Sequence, residues 1–136
     1  MVDLADPRLT TARVGRLATA DGDGVPHVVP VTFAVLGGTV VTVVDGKPKS
    51  TMRLKRLANI AANPAVALVV DHFDEDWSTL WWVRVDGMAH VLAEGPDHEA
   101  GVAALRAKYA QYREGVATDG PLVVIDVRRV TGWSAS

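Results

Sequence analysis

Three apolar, β-branched runs stand near the N-terminus with only tight turns between them: "VGRLATA" (14–20), "HVVPVTFAVL" (27–36) and "TVVTVV" (39–44). Such runs suit a pleated, half-buried surface better than a helix. The first two are separated by the "DGDG" turn (21–24). The last two are joined by Gly37-Gly38, a two-residue hairpin signal. Strands linked so briefly run antiparallel, because a parallel pair needs a crossover of a dozen residues or more. Three further strand-like runs follow: "AVALVV" (65–70), "LWWVRVDGMAHVLAE" (80–94) and "PLVVIDV" (121–127). Helices are expected at three places: after Asp6-Pro7, where an N-cap precedes Pro at the first helical position; over residues 50–63; and from Gly95-Pro96, where Val102, Leu105, Tyr109 and Tyr112 recur at helical spacing. The expectation is a mainly β chain, a six-stranded antiparallel barrel with a few short helices, built as one domain over residues 1–136.

Two positions qualify the strands. Pro30 sits inside the second run, so that segment lies at an edge, carries a bulge or interrupts its ladder. Gly87 interrupts the long fifth run, where a bulge or sharp bend is expected. In that run Trp81, Val83, Val85, Ala89 and Val91 share one face. Trp82, Arg84, Asp86, Met88 and His90 share the other. One of the two tryptophans is expected in the core and the other at an interface. Trp133 is expected to pack on the barrel.

Composition excludes several classes. The formal net charge of -2 lacks the basic balance of a general nucleic-acid binder. With no cysteine, neither a disulfide framework nor a thiolate metal site is possible. The cysteine-free composition fits the cytoplasm, and the N-terminus shows no signal-peptide pattern, so a soluble cytoplasmic protein is expected. His27, His72, His90 and His98 form no His-x-x-x-His pair, and "DHFDED" (71–76) lacks the glycine and spacing of a calcium loop, so no metal is expected.

The cations that do occur are concentrated. "DGKPKSTMRLKRLANIAANP" (45–64) holds Lys47, Lys49, Arg53, Lys55 and Arg56 at a turn and the start of a helix. Leu54, Leu57, Ala58 and Ala61 read as its buried stripe, and Asn63-Pro64 ends it. A helix N-terminus already carries positive potential, so cations there are unfavourable unless an anion is bound. Lys47 and Lys49 with the hydroxyls of Ser50 and Thr51 read as a phosphate cradle, the alternative being a solvated helix face for the whole set, while Lys55 and Arg56 read as solvated.

The order of these features resembles a known superfamily. "GRLATADGDGVPHVVPVTFAV", followed by the basic turn, the helix ending in "NP" and "AVALVVD", is similar to the pyridoxamine-phosphate-oxidase-like oxidoreductases that use flavins and deazaflavins. "LANIAANPAVALVVDHFDEDWSTLWWVRVDG" and the closing "TGW" resemble an actinobacterial subgroup that uses coenzyme F420. The resemblance implies a six-stranded split β-barrel of the FMN-binding kind. It implies a homodimer with cofactor sites at its interface, and hydride transfer between F420 and a small organic substrate. FMN is the alternative cofactor, and a non-catalytic flavin- or haem-binding module is the alternative function. By the same resemblance the cofactor phosphate lies against Lys47, Lys49, Ser50 and Thr51, with Arg53. Pro30, Val31, Thr32 and Phe33 line the tricyclic ring, and Trp77 and Ser78 approach this ring or the partner subunit's. True pyridoxamine-phosphate oxidases carry a longer C-terminal segment with Arg and His for substrate, so the vitamin B6 reaction is not expected. Hydride transfer is the cofactor's own chemistry, and no catalytic acid–base residue is nominated.

Overall fold

The computed structural model describes residues 2–45 and 51–136, and for residues 51–54 the backbone only. Seven strands are found among these residues: β1 (Gly15–Ala20), β2 (Pro26–Val31), β3 (Ala34–Leu36), β4 (Thr39–Val43), β5 (Ala65–His72), β6 (Trp81–Leu92) and β7 (Leu122–Ser134). They form one antiparallel sheet in the order β2-β1-β5-β6-β7-β4-β3. The outermost strands, β2 and β3, are consecutive in the chain and joined only by Thr32 and Phe33. Two linking residues reach roughly 10 Å. The sheet therefore curls until its edges nearly meet, and the chain itself crosses the gap. This is a split barrel, mainly β, as expected.

The expected single strand over 27–36 is corrected to two. At the break, the Phe33 amide does not join a ladder. It donates to the Tyr109 hydroxyl at 3.2 Å. The strand count rises from six to seven for that reason. Pro30 pairs with Arg16 on edge strand β2, where the missing N–H costs no central ladder bond.

Alternation along the strands sorts two cores. Leu17, Val29, Val40, Leu68, Val83, Val85, Val123 and Ile125 point into the barrel. Val41, Val43, Leu122 and Val124, on the opposite face of β4 and β7, pack on Leu105, Tyr109 and Tyr112. Those residues come from α3 (Pro96–Lys108), the link after it, and α4 (Ala110–Arg113). The short α1 (Pro7–Thr10) is capped as expected, the Asp6 carboxylate accepting from the Arg8 amide at 2.9 Å. It delivers Leu9 to the barrel core.

The ladder between β6 and β7 slips at Asp86/Gly87, where Asp86 faces Arg129 and Gly87 faces Val127. The extra residue is thus Arg128 on β7. A Cβ on Gly87 would stand 2.4 Å from the Asp126 carbonyl oxygen, so glycine is required by close backbone approach. β7 runs to Ser134, well past the expected end at 127, because residues 129–134 continue the ladder with β6 after leaving β4. Among the described residues no helix is long and apolar enough to cross a membrane.

Candidate functional site

The seam between β2 and β3 is sealed from outside by the α3–α4 junction. Tyr109 breaks the helix with extended backbone (φ -116°, ψ 117°), which turns its side chain inward. Its hydroxyl accepts from the Phe33 amide and lies within hydrogen-bonding reach of the carbonyl oxygens of Phe33 (3.1 Å) and Arg13 (3.0 Å). Lys108 Nζ donates to the Phe33 carbonyl at 2.9 Å and sits 3.9 Å from the centre of the Phe33 ring. Burial, with the Arg13 charge adding to it, pushes the Lys108 ammonium down to about 8. Burial, with Asp45 adding to it, pushes the Tyr112 phenol up to about 12.

These shifts give opposite slopes of stability with pH. Below about 8 the folded state holds a charged Lys108 at a cost that the unfolded chain does not bear. That cost is relieved as pH rises from about 8 toward the ordinary lysine value of 10.5. The Tyr112 contribution is complete below pH 10 and lost as pH climbs from 10 through about 12. Urea-unfolding midpoints are expected to rise from pH 8, peak between 9 and 10.5, and then fall. Lys108→Met should flatten the rising limb and leave the falling one.

Beside the α3–α4 junction lies a cleft of about 300 Å³. Pro30, Val31 and Thr32 form one wall, and Thr42, Val43 and Val44 another. Arg13, Asp45 and Arg56 supply its charged groups. An adjoining hollow of about 360 Å³ shares Arg13, Thr32 and Asp45 and adds Tyr109, Tyr112 and Val116. The Thr42 hydroxyl is buried on β4, and its oxygen has no hydrogen-bond partner among the described residues. Such a group is costly to leave unsatisfied, and it faces a cleft that could hold a ligand.

The helix α2 (Thr51–Ala62) corrects the expected stripe. Leu57 packs on the core as expected and the Leu54 side chain lies outside the described residues, but Ala58 and Ala61 are exposed, whereas Arg56, Asn59 and Ile60 are buried. The helix presents a face rotated by about one position because its polar residues find seats. Asn59 donates to the Thr19 hydroxyl at 3.1 Å, and Arg56 turns to the cleft. Arg56, expected in solvent, is 9% exposed. Lys55 is exposed as expected.

Of the expected site residues, Pro30, Val31 and Thr32 come together on the cleft wall. Phe33 does not line it. Its ring is fully buried in the barrel core and its backbone groups are taken by Tyr109 and Lys108. Lys47, Lys49 and Ser50 lie outside the described residues, as do the side chains of Thr51 and Arg53 in the first turn of α2. The segment 46–50 joins Asp45, on the cleft, to the helix that returns Arg56 to it. Trp77 and Ser78 form a single 3-10 turn with Thr79, where the Ser78 amide and hydroxyl donate to the Asp76 carboxylate at 3.1 and 2.6 Å. They are not among the residues lining the cleft.

Sequence reasoning missed Arg13, Thr42, Asp45, Arg56 and Tyr112. Thr42 was detectable as the polar residue inside a β-branched run. In the sequence, Tyr109 and Tyr112 show only as members of an apolar stripe at helical spacing. Elsewhere, Arg84 and Asp86 pair with each other at 3.0 Å. Trp81 is partly buried against the barrel core, and both Trp81 and Trp82 line a separate hollow of about 510 Å³ with Phe73 and Trp133. Trp133 is 48% exposed rather than packed away, and Phe73 and Trp77 are each 68% exposed. No three His, Asp or Glu side chains gather to hold a metal ion among the described residues.

Solved structures share this architecture. A conserved hypothetical protein from Mycobacterium tuberculosis is similar over 99% of this chain and 86% of its own, at 22% identity and a TM-score of 0.74. A FAD-binding protein from Mesorhizobium loti is similar over 100% of this chain and 96% of its own, at 27% identity and a TM-score of 0.73. A haem-binding protein from Mycobacterium smegmatis is similar over 99% of this chain and 59% of its own, at 22% identity and a TM-score of 0.69. No functionally curated protein matches the sequence. The family model described as pyridoxamine 5'-phosphate oxidase matches residues 1–134, nearly the whole chain, and the chain belongs to that family.

Proposed function

We propose that this protein is an oxidoreductase that holds coenzyme F420 in the seam cleft and transfers hydride between it and a small organic substrate. The observation that carries the reading is the cleft's lining. Pro30, Val31 and Thr32 meet a buried Arg56 and a buried Thr42 hydroxyl with no partner among the described residues. These groups fit a ring with polar edges and an anionic tail. When bound, the cofactor supplies the hydride chemistry, and the chain supplies placement and electrostatics. The phosphate would be held by Lys47, Lys49, Ser50 and Thr51, with Arg53, on the segment entering α2. A homodimer completes the reading. Its contact would be the hollow lined by Phe73, Trp82 and Trp133, with the nearby turn in sequence carrying Trp77 and Ser78 toward the partner subunit's cofactor. The protein would act in the cytoplasm as a single-domain unit.

FMN is the second candidate for the same cleft, and the likeness to a FAD-binding protein supports a flavin there. The likeness to a haem-binding protein supports a further reading, a flavin- or haem-binding module without turnover. Titration of the purified protein with F420, FMN and haemin, followed by fluorescence quenching or absorbance, separates these. Saturable F420 binding is the expected result. Saturation by FMN or haemin alone transfers the assignment to that group, and saturation by none of the three overturns the cofactor site.

A further inference from the structure

Thr32 is the pivot of the seam. It ends the β2 side of the gap, lines both the cleft and the adjoining hollow, and is only partly buried. Its hydroxyl lies 2.5 Å from the Tyr112 hydroxyl, and the Tyr112 hydroxyl lies 3.0 Å from Asp45 Oδ2. The distances alone leave the direction of the first bond open, since either hydroxyl could give the hydrogen. The carboxylate resolves it. A carboxylate accepts and has no hydrogen to give, so the single phenolic hydrogen of Tyr112 goes to Asp45. The Tyr112 oxygen can then only accept, and the Thr32 hydrogen goes to Tyr112. What remains on Thr32 for a ligand is lone pairs. A threonine hydroxyl that could otherwise turn either way is thereby given one polarity.

We propose that Asp45 and Tyr112 are positioning residues that fix the Thr32 hydroxyl as a hydrogen-bond acceptor toward the cleft, so that the site selects a ligand offering a ring N–H or a hydroxyl at that point. The proposal rests on the cleft being the cofactor site. The pyrimidine edge of flavins and deazaflavins fits the requirement, because it carries one ring N–H between two carbonyls. Thr42, across the cleft, keeps a hydroxyl able to donate to a carbonyl. A site built this way rejects an analogue without the donor far more strongly than an apolar pocket would, because Thr32 would be left facing another acceptor or nothing.

The test uses phosphate-free probes, riboflavin and its 5-deaza counterpart, so that changes in the charge of Asp45 do not act through a phosphate. Dissociation constants are measured by fluorescence for the wild type, Thr32→Val, Thr32→Ser, Asp45→Asn, Tyr112→Phe and the double variants carrying Thr32→Val. Circular dichroism confirms that each is folded. Thr32→Val is expected to weaken binding roughly 5- to 20-fold, the effect of one lost hydrogen bond, and Thr32→Ser to retain wild-type affinity. Asp45→Asn is expected to weaken binding by a similar factor, because the Asn amide can donate to Tyr112 and turn the Tyr112 hydrogen back onto Thr32. Tyr112→Phe is expected to lose a smaller factor, and neither change should add to Thr32→Val. Unchanged affinity in Asp45→Asn, or losses that multiply in the double variants, overturns the proposal while leaving the cofactor site standing. If neither probe binds the wild type, and FMN and F420 do not bind either, the cofactor site and this proposal both fall.

Discussion

Replacing Tyr109 with Phe is expected to cost about 1–3 kcal/mol of folding stability, a large loss for removing one oxygen atom. The expectation follows from where that oxygen sits. It accepts from the Phe33 amide and shares its one hydrogen between the carbonyls of Phe33, at the seam between the sheet's two edge strands, and Arg13, just before β1. Lys108 still reaches the Phe33 carbonyl, so that group keeps one partner. The Phe33 amide loses its partner at a buried position, at about 1–3 kcal/mol, while the carbonyl of the exposed Arg13 loses a shared hydrogen that water can replace. The ring keeps its packing against Tyr112 and beneath Arg13, with centroid distances of 5.7 and 4.5 Å, so no cavity opens. The measurement is the urea-unfolding free energy of Tyr109→Phe beside that of Tyr112→Phe. The Tyr112 hydroxyl bonds side chains rather than backbone at the seam. A Tyr109→Phe loss below about 0.5 kcal/mol would mean that water serves the seam as well as the tyrosine does.

The seam also marks the limit of what the sequence discloses. Local signals were legible where local chemistry decides the structure. Asp6-Pro7 starts its helix, Gly37-Gly38 turns the hairpin, and Gly87 stands where backbones meet. The break at Thr32–Phe33 was not legible, because nothing in "VTFAV" stops a strand. What stops it is Tyr109, 76 residues away, taking the amide that a ladder would have used. The face of α2 was misjudged for a similar reason. A stripe of Leu and Ala is the apolar choice, but the structure seats Asn59 on Thr19 and turns Arg56 to the cleft. Buried polar residues with long-range partners are invisible to a hydrophobic pattern. The sequence pointed to Pro30, Val31 and Thr32, which the fold brings to one wall of the cleft, and not to Arg13, Thr42, Asp45 and Arg56, which line it too. The continuation of β7 through "RRVTGWS" escaped notice because that segment has a partner on β6 alone and little apolar surface to announce it.

The correction at Arg56 leads to the second large effect. Arg56→Met is expected to weaken FMN or F420 binding about 10- to 100-fold, the range of a charge-assisted hydrogen bond. Methionine keeps much of the stem's packing while removing the guanidinium, so the unfolding midpoint of the variant is measured beside its affinity. A fall in affinity for the anionic cofactor measured on the folded variant, larger than that of the ring-only probe, separates a binding role from a structural one. A buried cation acts on an anionic ligand through a medium less polar than water, so its attraction is screened less than that of the exposed Lys55. Lys55→Met is the matched control, and its effect should be small and vanish at high salt. The loss in Arg56→Met should also be larger for FMN than for riboflavin, since only FMN carries the phosphate. An equal loss for the two would place Arg56 against the ring instead of the anionic tail. No loss for either would remove Arg56 from the site and leave the basic segment at 47–53 to hold the phosphate alone.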